Sequence, residues 1–354
     1  MTKAAEAARA AVEREDGGTL RRYYHQMLLL RRFEERVSEM YVKAKIGGYC
    51  HLNLGEEASI VGLMAALTPD DYIFTNYREH GYILARGVEP GPIMAELFGK
   101  ETGVSGGRGG SMHLFDAKAH FMGGYAIVGG QVPLAVGAAY ALKYQGKPGV
   151  VVAQMGDATT NIGAFYESLN LAKLWKLPIL FFIVNNGYGM GTSVEHGSSE
   201  PNLYKKGGSF RIHGERIDGT NVLAVRDAVR RLRQKAEEEG EPAILDMTSF
   251  RFRGHSVIDA DRYRDADAVR RGRETFDPVR KFAAILRDTG IVEDAFLKET
   301  AELVDRMVQD AIDFANNSPE PKFEDMYTHM YATPVPNTPD AQDAIRAVKI
   351  NRGE

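Results

Sequence analysis

The sequence is poor in the residues that build covalent and metal cross-links. Its 354 residues include one cysteine, Cys50, which excludes an internal disulfide and a cysteine-built metal centre and suits a reducing cytoplasm. It has no apolar run long enough to span a bilayer, so a membrane protein is not expected. It has no excess of one charge either. Forty-eight acidic residues against 44 Lys and Arg leave −4, with the signs intermixed, which argues against nucleic acid as a partner. No signal peptide is expected, and Glu6, Glu13, Glu15 and Asp16 argue against a transit peptide, which would be poor in acids. Zinc spacing, a P-loop, a nucleophile elbow and internal repeats are missing too. What is present is 44% hydrophobic residues in helical and strand patterns, enough for a substantial core. We expect residues 1–18 to form a flexible lead-in, 19–332 a single α/β domain and 333–354 a C-terminal tail.

The most informative stretch runs from Val150 to Glu195. Val150 to Met155 is a short apolar run between Gly149 and Gly156, the pattern of a strand buried on both faces. After Asn161, Ile162, Phe165, Leu169, Ala172 and Trp175 recur at helical spacing until Pro178. Ile179 to Val184 is a second buried strand that runs into Asn185-Asn186. Together these make a βαβ unit with a right-handed crossover, in an α/β fold with a mostly parallel sheet flanked by helices. Asp157 and Asn186 then end neighbouring strands, at the edge where open α/β sheets bind ligands. One carboxylate, one carboxamide and the carbonyls of Gly187-Tyr188-Gly189 are hard oxygen ligands suited to Mg²⁺. A helix opening near Thr159 to Asn161 would turn free N–H groups towards a phosphate. The pattern points to a Mg²⁺-bridged diphosphate. The plainer alternative is a nucleotide-type turn, with Gly187, Gly189 and Gly191 as the loop of a non-catalytic subunit.

The wording of this stretch adds a resemblance. Gly156-Asp157, Asn161 and the later asparagine pair resemble the thiamine diphosphate motif. NLAKLWKLP followed by NNGYGMGTSVE is similar to the alpha subunits of the 2-oxo acid dehydrogenase family, above all those of the pyruvate dehydrogenase first component. The similarity runs from about Tyr24 to about Tyr331. It implies a thiamine-diphosphate-binding fold and the cofactors thiamine diphosphate and Mg²⁺. The metal ligands it implies are Asp157, the Asn186 side chain and the Tyr188 carbonyl, with Ala158 and Thr159 beside the diphosphate. The family's G-D-G reads Gly156-Asp157-Ala158 here, a departure that adds a methyl group.

Other segments carry the same resemblance. Tyr77-Arg78-Glu79-His80 matches Y-R-x-H, in which the arginine holds the diphosphate as a guanidinium fork does well. GGYCHLNLGEEASIVGL places His51 on the substrate side. Ala126-Ile127-Val128 is implied to meet the aminopyrimidine through its backbone, although the family has glycine where Ala126 stands. Arg251-Phe252-Arg253-Gly254-His255-Ser256 resembles R-x-x-G-H-S, which brings Arg251 and His255 to cofactor and substrate. Serines placed like Ser193 and Ser256 are regulatory phosphorylation sites in eukaryotic relatives. The implied reaction is oxidative decarboxylation of pyruvate, with His51, His255 and Tyr77 catalytic. Acyl transfer to a lipoyl-bearing dihydrolipoyl acetyltransferase would follow. Acetoin and branched-chain 2-oxo acid enzymes are the nearest alternatives.

Four further readings concern structure and assembly. Thr19 is a candidate cap for a long amphipathic helix, and the glycine-rich Gly103 to His113 reads as a loop passing close to a cofactor or another backbone. The charged stretch after Ser256 reads as a solvated, mobile loop suited to a lid. No glutamate lies between Glu101 and Glu167, while Glu56 and Glu57 open a helix, where acids serve its dipole. The carboxylate that should face the aminopyrimidine is therefore expected from a beta subunit, in a two-alpha, two-beta tetramer.

Overall fold

The computed structural model describes residues 3–323 and 325. Helices α1 (Lys3–Glu13), α2 (Gly17–Val42) and α3 (Glu57–Met64) precede strand β1 (Tyr72–Asn76). Helices α4 (His80–Ala85) and α5 (Pro90–Leu97) lead to β2 (Phe121–Tyr125), α6 (Gln131–Gln145) and β3 (Val151–Gly156). Helix α7 (Gly163–Leu174) crosses to β4 (Ile179–Asn185), and a small hairpin of β5 (Tyr188–Gly189) and β6 (Thr192–Ser193) runs into the one-turn α8 (Val194–Gly197). Strand β7 (His213–Asp218), α9 (Val222–Glu239) and β8 (Ala243–Thr248) follow, then α10 (Ala266–Phe276), α11 (Pro278–Asp288) and α12 (Asp294–Asn317).

The six longer strands form one parallel sheet in the order β2-β1-β3-β4-β8-β7. The βαβ unit read from sequence is present, with β3 and β4 in register from Val151↔Ile179 to Gly156↔Val184. The chain leaves β1 for β2 on one side and returns to β3 on the other. The topological switch point, where such sheets bind ligands, therefore lies between β1 and β3.

Both faces of the central strands are buried. Val152, Leu180, Phe182 and Val184 pack with Ile60 of α3 and Val225 of α9. The alternate residues Val151, Ala153, Phe181 and Ile183 pack with Val136 of α6 and Phe165 of α7. Burial on both faces is why these strands read as unbroken apolar runs. Among the described residues, no helix is long and apolar enough to cross a membrane.

Several local expectations change. Asp16, not Thr19, caps α2, because its carboxylate reaches the Thr19 N–H at 2.7 Å. The lead-in contains α1, with Val12 buried and the following Glu15 paired with Arg226 of α9. Alanine-rich sequence propagates as helix once an apolar neighbour accepts one face. The charged stretch after Ser256 is solvent-facing, as expected, but its first half is tied down. Asp259 accepts from the His255 N–H (2.6 Å) and the Tyr263 hydroxyl (2.6 Å), and Arg264 donates to the Arg251 carbonyl (2.8 Å) and pairs with Asp261. Its charges find partners both within the stretch and on the loop before it. The expected tail, 333–354, lies outside the described residues.

Candidate active site

Three strands end side by side at the switch point, and each exit carries chemistry. Strand β1 delivers Asn76-Tyr77-Arg78, β3 delivers Asp157-Ala158-Thr159, and β4 delivers Asn186-Gly187-Tyr188. They surround a cavity of about 260 Å³, closed further by Glu56, Val128, Gln154, Met190, Arg251 and His255. A wider cavity of about 670 Å³ shares Tyr77, Val128, Met190 and His255 with it and adds His51, Met112, Ala126 and Ile258. Every site residue read from sequence lines one of these two spaces.

Asp157 is buried, 3% exposed, at the inner end. Its Oδ1 accepts from the Ala158 N–H at 2.7 Å, while Oδ2 finds no hydrogen-bond partner among the described residues. Burial pushes the carboxyl up, against the Ala158 bond that stabilises its charge. A buried carboxylate oxygen without a donor is costly unless a cation meets it. Asn186 Oδ1 accepts only a 3.3 Å bond from the Tyr188 N–H, and the Tyr188 carbonyl only a 3.5 Å one from Arg251. Carboxylate, carboxamide and carbonyl oxygens suit Mg²⁺. Among the described residues no cluster of three His, Cys, Asp or Glu side chains offers a softer metal an alternative. The residues present fit a magnesium-bound diphosphate.

The helix expected to open near Thr159 to Asn161 begins later. Asp157 to Asn161 is a 3₁₀ turn, and α7 starts at Gly163. The N–H groups beside Asp157 therefore belong to the tight turn, with Thr159 buried against the cavity. Ala158 is accommodated by its neighbour: a Cβ built on Gly189 would lie 2.4 Å from the Ala158 methyl. Ala158→Gly is therefore expected to leave cofactor affinity nearly unchanged, at a stability cost of about 0.4–1 kcal/mol from added backbone freedom. Gly189→Ala is expected to weaken cofactor binding, and Ala158→Gly in the same chain to restore it. Calorimetry on the three variants checks this. A tenfold tightening by Ala158→Gly alone, about 1.4 kcal/mol, would contradict it.

Arg78 is buried and held by two carbonyls, with Nη1 on Leu52 (2.6 Å) and Nη2 on His255 (2.9 Å). Its Nε lies 3.7 Å from Glu56. Arg251, also buried, donates to the Met190 carbonyl (3.1 Å) and the Tyr263 hydroxyl (2.6 Å) and so fixes the hairpin that carries Tyr188. Burial lowers its proton affinity, as does the charge of Arg78.

Three rings stand at the junction of the two cavities. His51 lies 4.3 Å from Tyr77 and 4.9 Å from His255, centroid to centroid, and Tyr77 lies 5.6 Å from His255. Burial, with the Arg78 charge second, depresses His51 to about 2 and His255 to about 4. Both imidazoles are thus neutral near pH 7, and His51 Nδ1 is buried without a partner among the described residues. Burial also raises the Tyr77 phenol. The group can position a small acid and take up or release a proton. Ser193 caps α8, its Oγ accepting from the His196 N–H, and Ser256 is buried.

The glycine-rich loop closes on a buried carboxylate. Glu96 of α5 accepts from the N–H groups of Ser105, Gly107, Gly109 and Gly110 at 2.7–3.1 Å. A Cβ on Gly109 would meet the His113 carbonyl at 1.9 Å. Backbone approach, the second option left by the sequence, accounts for these glycines. The sequence reading missed Glu56, Asn76, Gln154 and Met190 as cavity residues. Asn76 ends β1 and Gln154 lies two residues before the end of β3, near the same edge of the sheet, which was the available signal.

The dehydrogenase E1 component family model matches residues 25–324. The chain is 42% identical over 330 residues to the pyruvate dehydrogenase E1 component subunit alpha of Rhizobium meliloti (strain 1021), covering 91% of this chain and 95% of that one. It is 43% identical over 316 residues to the protein of that name from Zymomonas mobilis subsp. mobilis, covering 89% of each. The counterpart in Rickettsia bellii is 41% identical over 308 residues, covering 87% of this chain and 94% of that one.

Proposed function

Since this chain belongs to the dehydrogenase E1 component family, we propose that it is the alpha subunit of a pyruvate dehydrogenase acting with thiamine diphosphate and Mg²⁺. It works with a beta subunit in a two-alpha, two-beta enzyme and passes an acetyl group to the lipoyl group of a dihydrolipoyl acetyltransferase. The observation that carries this reading is the unpartnered Asp157 Oδ2 beside the Asn186 and Tyr188 oxygens at the switch point, within one cavity that Arg78 also lines.

Thiamine diphosphate supplies the carbanion-stabilising chemistry by which a 2-oxo acid loses CO₂. The chain's own part is placement. Asp157, the Asn186 side chain and the Tyr188 carbonyl hold Mg²⁺. Arg78 and the turn around Ala158 and Thr159 face the diphosphate, and Arg251 braces the hairpin behind it. The Ala126 to Val128 backbone meets the aminopyrimidine. His51, Tyr77 and His255 orient the 2-oxo acid, and each uncharged imidazole offers it one hydrogen-bond donor and one acceptor.

The test uses the assembled enzyme with pyruvate and a lipoyl domain. His51→Ala and His255→Ala are expected to lower turnover by about 10²–10⁴-fold, the usual contribution of general acid–base groups, with cofactor affinity held within a few fold. Unchanged turnover in both variants would remove these histidines from the reaction. Failure of the wild-type assembly to consume pyruvate would overturn the function itself.

A further inference from the structure

Glu56 belongs to the cavity, not to its helix. It is the N-cap residue of α3, but its side chain makes no capping hydrogen bond. Its neighbour Glu57 does the local work instead, accepting from the Gly55 N–H and pairing with Arg31 at 2.7 Å. Glu56 is 2% exposed and lines the inner cavity with Asp157 and Arg78. One carboxylate oxygen accepts from Asn53 Nδ2 at 2.9 Å; the other lies 3.7 Å from Arg78 Nε, beyond hydrogen-bond reach.

This is an awkward neighbour for an anion. An ionised Glu56 offsets the positive charge of Arg78 and repels a diphosphate, while a protonated Glu56 does neither. On the reading of this cavity as a thiamine diphosphate site, we propose that Glu56 takes up a proton from solvent when the diphosphate enters, so that cofactor affinity in this chain is set by pH.

The surroundings leave Glu56 as the group free to respond. Glu57 is neutralised by Arg31, and Glu34 of α2 is bonded to His80 of α4 at 3.0 Å and to the Asn53 N–H. Tyr82 of α4 and Tyr77 after β1 also feel its charge, and burial raises both phenols, so neither ionises near neutrality. Asp157, across the cavity, faces the metal position. Burial holds the Glu56 carboxyl at about 7, against the pull of Arg78. An entering anion moves it upward from there. The sign is fixed: the extra affinity is complete below about pH 7 and is lost as pH rises through the value in the bound state.

The experiment is calorimetric titration of thiamine diphosphate with Mg²⁺ into the assembled enzyme, at pH 7.5, in two buffers of different ionisation enthalpy. Wild type is expected to take up protons, and Glu56→Gln about half a proton fewer, for a shift of one pH unit or more. Between pH 6.5 and 8.5 wild-type affinity should fall roughly fivefold more than that of the variant. Equal proton counts in two proteins that both bind the cofactor would overturn this role and leave the function standing. No binding by wild type would overturn the function and this role with it. If Glu56→Gln does not assemble, zero or negative proton uptake by wild type alone is sufficient to refute it.

Discussion

Supplied alone with Mg²⁺ and thiamine diphosphate, this chain is expected to show no measurable decarboxylation of pyruvate, whereas the assembled enzyme should turn over at roughly 1–10³ s⁻¹. The reason is a missing carboxylate. Among the described residues, the acids lining the two cavities are Glu56, Asp157 and Asp259. Glu56 is turned to Asn53 and Arg78, Asp157 lines the proposed metal position, and Asp259 is turned to the His255 N–H and Tyr263. None is left for the aminopyrimidine that Ala126 to Val128 would meet, and that segment stands open, with Ile127 77% exposed. The surface also looks unfinished. Helix α6 exposes Leu134, Tyr140 and Tyr144, and Tyr140 lies 5.4 Å from the exposed Trp175. Grouped exposed aromatics of this kind mark interaction surfaces. Assay of the chain with and without its beta partner checks the expectation. Full activity from the chain alone would contradict it.

Asp157→Ala in the assembled enzyme is expected to weaken Mg²⁺-dependent cofactor binding by more than about 100-fold, beyond what loss of an outer-sphere partner costs. Without this carboxylate the proposed metal would lose its one anionic protein ligand, and the diphosphate charges would stay poorly neutralised. Fold stability should not follow. The substitution removes one buried oxygen that has no hydrogen-bond partner among the described residues and one that accepts from the Ala158 N–H, so the unfolding temperature without cofactor is expected to stay close to that of wild type. That split separates ligation from packing: a structural aspartate would lower both together. Calorimetric affinity within a few fold of wild type would contradict the metal assignment.

Which parts were legible in the sequence follows from the reach of each signal. The β3–α7–β4 unit was readable because a strand buried on both faces is an unbroken apolar run, and period and length are local properties. Asp157 and Asn186 were readable as edge residues for the same reason, since each follows such a run, whereas Tyr77-Arg78 was found through its resemblance to Y-R-x-H. The strand order was not, because pairing β1 between β2 and β3 is a long-range choice. Glu56 was misread for a related reason. A carboxylate at a helix start has the same sequence context whether it faces solvent or a cavity, and only the packing of α3 against its neighbours decides. Glu96 was invisible as the partner of the glycine-rich loop because the donors are backbone N–H groups. Asp16 displaced Thr19 as a cap by a three-residue difference that capping preferences alone do not resolve.

The central claim is that a magnesium ion sits between Asp157, Asn186 and Tyr188 and holds a diphosphate at the switch point. The most direct measurement is anomalous diffraction from crystals of the assembled enzyme grown with thiamine diphosphate and Mn²⁺ in place of Mg²⁺. The account predicts one strong peak about 2.0–2.2 Å from Asp157 Oδ2, the Asn186 side-chain oxygen and the Tyr188 carbonyl, bridged to the cofactor's phosphates. A bound cofactor with no peak there, or with its metal on other residues, would contradict it.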